Sequence, residues 1–205
     1  MTHPGVFIAI EGLDGSGGTT QVSRLGDAVE ALGREVLRTR EPTPGPVGRL
    51  IRQALGPGNE ASVLGDNVLP FLFAGDRQDH LDRLILPALA RGAVVITDRY
   101  VPSSLAYQGV AIGVRAALSL NARFVAPDLT VVIDVPPEEC MRRIIARGAP
   151  RERFEDTGRL TRIRAAYAHG LELLDERGDR IVRVDGTQSI DALAGEVWRH
   201  AAPLF

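Results

Sequence analysis

The sequence predicts an α/β fold, a five-stranded parallel sheet between two layers of helices. Three observations carry this. Five short apolar runs alternate with longer segments of helical period. Most of the runs are apolar throughout rather than alternating, as strands buried on both faces of a parallel sheet must be. A glycine-rich turn joins the first run directly to the first amphipathic segment, the strand–turn–helix order of such folds.

Taken in order, the predicted strands are Val6 to Ile10, a weak Val36 to Leu37, Val94 to Thr97, Leu129 to Val135 and Ile181 to Val184. After the glycine turn, Val22, Leu25, Ala28, Val29 and Leu32 recur at spacings of three and four and stop at Gly33, an amphipathic helix with a glycine terminator. Leu69 to Leu89 reads as a helix with Pro70 in its first turn and a break or end near Pro87. Pro136, Pro137, Glu138 and Glu139 open another that runs to about Arg147, because proline suits the first turn and acids its positive end. Leu160 to Leu174 and Ile190 to Ala201 are the last two helices. Gly56-Pro57-Gly58 marks an exposed turn, and the charged, poorly patterned stretch from Ala146 to Thr157 is expected to be a mobile loop.

Composition narrows the function. With 205 residues, one domain spanning 1–205 is the expectation. A net charge of -2 argues against a protein that coats nucleic acid with positive surface, so small partners are expected instead. Cys140 is the single cysteine, which excludes an internal disulfide and fits a reducing compartment. No run reaches the roughly 18 apolar residues of a membrane span. A soluble, cytoplasmic protein is expected, with no membrane partner. His3, His80, His169 and His200 show no paired spacing and make a zinc site improbable. Cys140 is read as a core residue, with a nucleophilic role as the alternative. Trp198 is expected to close the core beneath the last helix.

The turn is the chemically informative segment. Gly12, Leu13, Asp14, Gly15, Ser16, Gly17, Gly18, Thr19 and Thr20 fit G-x-x-x-x-G-K-[ST] in every position but one: Gly18 stands where the motif has lysine. All 24 basic residues are arginines, so the chain holds no lysine at all. The backbone N–H groups of such a loop, with the positive end of the helix that follows, form a cradle for phosphate. The Thr19 hydroxyl can face a magnesium ion bridging those phosphates. The bland alternative is a tight turn that uses glycine only for its permissive dihedrals. Nucleotide phosphate binding is the stronger reading, and it makes the fold class a P-loop NTPase-type three-layer α/β/α sandwich.

Further segments resemble one family. Glu11-Gly12-Leu13-Asp14-Gly15, Arg40-Glu41-Pro42, Phe73-Ala74-Gly75-Asp76-Arg77, Asp98-Arg99-Tyr100 with Ser103, Ser104, Ala106, Tyr107, Gln108 and Gly109, and Pro127-Asp128-Leu129-Thr130 follow in order over about three quarters of the chain. They resemble the ordered motifs of thymidylate kinases. The resemblance implies a nucleoside monophosphate kinase-like fold, transfer of the ATP γ-phosphoryl group to dTMP to give dTDP, Mg2+ as cofactor, and usually a homodimer.

It also implies roles. Asp14 would hold the deoxyribose 3'-hydroxyl, although an acid there also serves as a turn former. Phe73 offers a flat face to thymine, and Arg77, four residues on, can reach a base carbonyl; alternatively Phe73 is core and Arg77 surface. Arg99 and Arg40 would clamp the dTMP phosphate with planar guanidinium groups, and Glu41 and Pro42 join the substrate set. Asp98 with Arg99 at the end of a strand is otherwise a structural ion pair. Asp98 and Thr19 are the candidates for holding Mg2+ with ATP. Ser103, Ser104, Tyr107 and Gln108 resemble the segment that recognises base and sugar, with Tyr107 crowding the 2' position.

The missing lysine calls for a cation from elsewhere, since phosphoryl transfer depends on neutralising charge at the transferred group. Arg147, Arg151 and Arg153 cluster in the segment that corresponds to the family's lid. Arg153 is the first candidate to enter the space at Gly18, and Arg147 the second. Two other readings stay open: a non-catalytic nucleotide-binding protein of this fold, and a kinase for another nucleoside monophosphate.

Overall fold

A computed structural model of the chain describes residues 4–56, 64–148 and 156–205. Five parallel strands, β1 (Val6–Gly12), β2 (Val36–Arg40), β3 (Val94–Asp98), β4 (Leu129–Asp134) and β5 (Ile181–Asp185), form one sheet in the order β2-β3-β1-β4-β5. Side chains alternate across β1, so its two sides feed different cores. Ile8 and Ile10 pack with Val94 and Ile96 against Val22, Leu25 and Val29 of α1 (Gly18–Glu30). Phe7 and Ala9 pack with Val95 against Leu81, Ile85 and Leu89 on the opposite face. Helices on both faces make the three layers that the sequence predicts.

The sequence-predicted strands are all present, and the differences lie mostly at their ends. The weak second run extends to Arg40 because β2 is an edge strand, half-buried, which carries Arg38 and Thr39 without leaving the sheet. Arg38 turns back to Asp27 and Glu30 of α1 at 2.7 and 2.6 Å.

The helical layer departs further. A short helix, α2 (Pro46–Leu55), occupies a stretch for which the sequence predicts no element; Pro46 sits in its first turn, where a missing N–H is harmless. The predicted helix over 69–89 divides into α3 (Leu69–His80), a π-helical stretch at Leu81–Ile85 and α4 (Leu86–Ala90). Pro87 has no N–H to offer the preceding turn, so the helix widens ahead of it. The segment after β3 is also helical: α5 (Val101–Ser103), a π-turn at Ser104–Gln108, α6 (Gly109–Ile112), and α7 (Val114–Asn121) beyond the turn at Gly113. The rest are α8 (Pro137–Arg147), α9 (Thr157–Glu176) and α10 (Ile190–Ala201).

The expected loop from Ala146 to Thr157 needs correction at its ends, since Ala146 and Arg147 finish α8 and Thr157 begins α9. Its centre, with Arg151 and Arg153, lies outside the described residues. Trp198 is half-buried at the edge of the core and stacks on Phe205, with ring centroids 5.9 Å apart. Cys140 is fully buried, and burial pushes its thiol up to about 12, which fits the core reading rather than a nucleophile.

Phe7 ties β1 to the turn after β3, since its ring meets that of Tyr100 edge-on at 5.1 Å and both are fully buried. Phe7→Ala is therefore expected to lower unfolding stability by about 3–5 kcal/mol, measured by urea denaturation. A loss under 1 kcal/mol would contradict this packing.

Candidate active site

The chain order reverses at β1, which pairs with β3 on one side and β4 on the other. The crevice beyond the carboxyl ends of such strands is where open α/β sheets bind ligands. Register delivers the pieces: Ile10 lies level with Asp98, Asp98 with Arg40, and Gly12 with Ile133.

The glycine loop turns out of β1 and into α1. An added Cβ at Gly12 would lie 2.8 Å from the Ile133 carbonyl and 2.6 Å from Ser16 Oγ, so no side chain fits there. Gly17 caps α1 with φ 100° and offers no side-chain cap, leaving the first N–H groups of the helix directed at the crevice. Gly18 is ordinary helix; a Cβ there would lie 3.2 Å from Asp98 Oδ1. The Thr19 hydroxyl donates to Asp98 Oδ2 at 2.5 Å. The loop from Gly12 to Thr20 lines a cavity of about 490 Å³ together with Asp98, Arg99, Arg143 and Arg147.

A smaller cavity of about 90 Å³ adjoins it, and Asp14 and Arg99 line both. Around it stand Glu41, Pro42, Phe73, Arg77, Ser103, Ser104, Tyr107 and Gln108. Of the predicted substrate residues, the structure leaves only Arg40 out of this lining: it ends β2, exposed, and its charge adds to burial in lowering the Arg52 pKa.

Arg99 is the hub of the junction. Its Nη2 donates to Asp14 Oδ1 at 2.6 Å and to Tyr107 Oη at 3.2 Å. Its Nη1 donates to the Gly12 carbonyl and to Ser103 Oγ, both at 2.9 Å. Burial works against the guanidinium charge, but Tyr107, Asp14, Tyr167 and Asp98 outweigh it and raise the Arg99 pKa. Tyr107 Oη also donates to Asp14 Oδ2 at 3.0 Å, and burial holds the phenol well above its ordinary range.

Arg77 is neither surface nor a lone ligand. Its side chain is buried and donates to Glu41 Oε2 from Nε at 2.9 Å and Nη2 at 2.6 Å, and from Nη1 to Asn121 Oδ1. Its guanidinium also lies over the Tyr100 ring at 4.9 Å. Glu41 continues to His80 Nδ1 at 3.1 Å, and His80 Nε2 to Thr39 Oγ1 at 2.7 Å. This fixed pair places a planar cation and Phe73 around one cavity. Two buried polar atoms in the same lining, Ser104 Oγ and Gln108 Oε1, have no hydrogen-bond partner among the described residues. Groups left so are costly unless a ligand or water meets them.

Sequence reasoning missed Tyr167, Asn121 and Arg143. Tyr167 and Asn121 reach the site from α9 and α7, with no motif to mark them. Arg143 donates to the carbonyls of Ser16 at 3.4 Å and Gly186 at 2.9 Å, and to Glu139 at 2.7 Å. Its spacing from Glu139 on α8 was legible, but not the direction of that helix face.

A phosphate-binding loop at the switch point of a parallel sheet, with a second cavity joined to it through an acid–arginine pair, defines a nucleotide-binding protein of the P-loop class. Comparison with known proteins makes this specific. The sequence profile described as Thymidylate kinase matches residues 10–197. A thymidylate kinase from Dinoroseobacter shibae is 41% identical over 206 residues, covering 98% of each chain. One from Xanthomonas oryzae is 45% identical over 170 residues, 82% of this chain and 73% of that protein, and one from Xanthomonas campestris is 43% identical over 169 residues. The chain belongs to the thymidylate kinase family.

The side chains Arg142 and Arg143 hold the Glu139 carboxyl at about 2. A carboxyl lowered in the folded state contributes stability above its unfolded value, lost as pH falls towards 2. Expected by NMR is a Glu139 titration midpoint near 2, rising towards the ordinary range in Arg142→Ala and Arg143→Ala; an ordinary midpoint in the unsubstituted protein would refute the pairing.

Proposed function

We propose that the chain transfers the γ-phosphoryl group of ATP to dTMP, giving dTDP. The observation that supports this most directly is the second cavity: an aromatic face at Phe73, a fixed Arg77 guanidinium, and Ser104 Oγ and Gln108 Oε1 buried without partners. A pyrimidine with its own N–H and carbonyl edge answers those groups. The cavity meets the phosphate loop at Asp14 and Arg99, so an acceptor nucleotide seated there presents its phosphate to the donor.

Roles follow from position. The loop N–H groups and the start of α1 cradle the ATP phosphates. Arg99 takes the acceptor phosphate, with Arg40 reaching in from β2, and Asp14 takes the 3'-hydroxyl. Tyr107 stands beside Asp14 where a 2'-hydroxyl would crowd it, and Glu41 keeps Arg77 in plane. Ser103 is spent on Arg99 and backs the clamp from behind. Among the described residues no group of three or more His, Cys, Asp or Glu gathers as a metal cage. The hydroxyl of Thr19 and the single carboxylate of Asp98 would hold Mg2+ brought in with ATP, which would supply charge neutralisation at the phosphates.

The charge that Gly18 lacks is assigned to the arginines at the end of α8 and beyond it. Arg147 already lines the loop cavity; Arg153 was the first candidate from sequence. Either guanidinium would supply the stabilisation of the transferred group that the loop does not. The chain works as a homodimer, a reading that the exposed Leu50 and Phe71 on the adjoining helices α2 and α3 support. Its place is the cytoplasm; no helix among the described residues is long and apolar enough to cross a membrane.

A coupled assay with ATP, Mg2+ and each of dTMP, dUMP, dCMP and dGMP is expected to show turnover with dTMP foremost. Preference for another acceptor would make this a different nucleoside monophosphate kinase, and binding without turnover a non-catalytic protein. In the same assay, Arg153→Ala or Arg147→Ala is expected to lower kcat on the order of a hundredfold while changing the KM for ATP far less. Unchanged kcat in both variants would remove the relocated cation from the mechanism.

A further inference from the structure

Arg99 is the one non-glycine residue with positive φ among the described residues, at 74°. L side chains avoid this conformation, so the surroundings must enforce it, and such enforced residues gather at functional sites. Arg99's own N–H donates to the Ile10 carbonyl and its carbonyl accepts from Thr97 Oγ1, both at 2.9 Å; the turn that follows is held by Glu11. Its Oε1 accepts from the backbone N–H of Tyr100 at 2.7 Å and of Ser103 at 3.3 Å. Its Oε2 accepts from Ser103 Oγ at 2.6 Å and from Tyr167 Oη at 2.8 Å.

The same two hydroxyls pass the restraint on to the guanidinium. Arg99 Nη1 donates to Ser103 Oγ at 2.9 Å and to Tyr167 Oη at 3.4 Å. Glu11 thus fixes both the backbone that follows Arg99 and the acceptors against which its side chain rests. It does so from β1, one residue before the phosphate loop. An acid one residue from the end of a buried apolar strand, and only 1% exposed, carries a desolvation cost, which raises its pKa. Holding a turn needs only an acceptor; the hydrogen bond from Ser103 and the nearby Arg99 guanidinium work against that desolvation and favour the carboxylate.

We propose that Glu11 is a positioning residue for the acceptor-phosphate clamp, holding Arg99 in its left-handed conformation and aiming its guanidinium at the junction of the two cavities. This rests on the reading that the second cavity takes a nucleoside monophosphate. The unsubstituted protein's own turnover of dTMP tests that reading separately.

Glu11→Gln keeps the shape and the backbone acceptor but removes the charge. The expected result is a KM for dTMP raised about tenfold with the KM for ATP within about twofold. Tyr167→Phe, which removes one hydroxyl of the relay without lining the second cavity, is expected to raise the same KM by about threefold. Equal rises in both KM values, or an unchanged KM for dTMP in both variants, would overturn the assignment. A crystal structure of Glu11→Gln without nucleotide gives a readout independent of activity. Arg99 is expected to leave φ near 74° or to swing its guanidinium off Ser103, and an unmoved Arg99 overturns the proposal even if no acceptor is turned over.

Discussion

The pairing of β1 with β3 on one side and β4 on the other is the constraint on which the rest of the structure depends. Parallel register puts the carboxyl ends of three strands at one edge. It therefore sets the glycine loop, Asp98 and Arg99 side by side, although some 80 residues of chain separate them. The cores on the two faces of β1 keep that register, because a slip by one residue would send Ile8 and Ile10 to the side built for Phe7 and Ala9. The glycine loop, Asp98 and Arg99 are all hung on this edge.

At that edge the charges are organised around a single guanidinium. Asp14 meets Arg99 directly, Glu11 meets it through two hydroxyls, and Asp98 joins Asp14 in raising its pKa. Gly18 fits this arrangement. With no side chain at Gly18, Asp98 Oδ1 sits 3.2 Å from where a Cβ would be, and Thr19 fills the role of donor to its other oxygen. The positive charge of the site comes from guanidinium groups on other elements, Arg99 after β3 and Arg143 and Arg147 on α8.

Much of this was legible in the residues. Apolar runs such as Val6 to Ile10 and Val94 to Thr97 read as strands covered on both faces, and Gly12 to Thr20 as a glycine turn suited to phosphate; that Gly12 also lies against the Ile133 carbonyl of β4 is a fact of the fold. The ordered motifs marked nearly all residues that line the second cavity, from Glu41 to Gln108. Illegible were α2, and the π-helical stretches before Pro87 and at Ser104–Gln108, where local propensity gives way to packing. Arg77 shows the limit best: four residues after Phe73 it was expected to face a ligand or solvent, yet Glu41 and Asn121 bury it and fix it.

Local sequence determined which segments become strands and helices, because hydrophobic period and glycine or proline placement act within a few residues. It also determined the chemistry available: a phosphate loop without its lysine, two carboxylates beside it, and arginine as the only strong cation. Tertiary structure decided the pairings. Tyr167 on Glu11, Asn121 on Arg77 and Arg143 on the Ser16 carbonyl join residues 156, 44 and 127 positions apart. Hydrogen bonds depend on distances of a few ångströms, and only the packed sheet and its helices set those distances for residues so far apart in the chain.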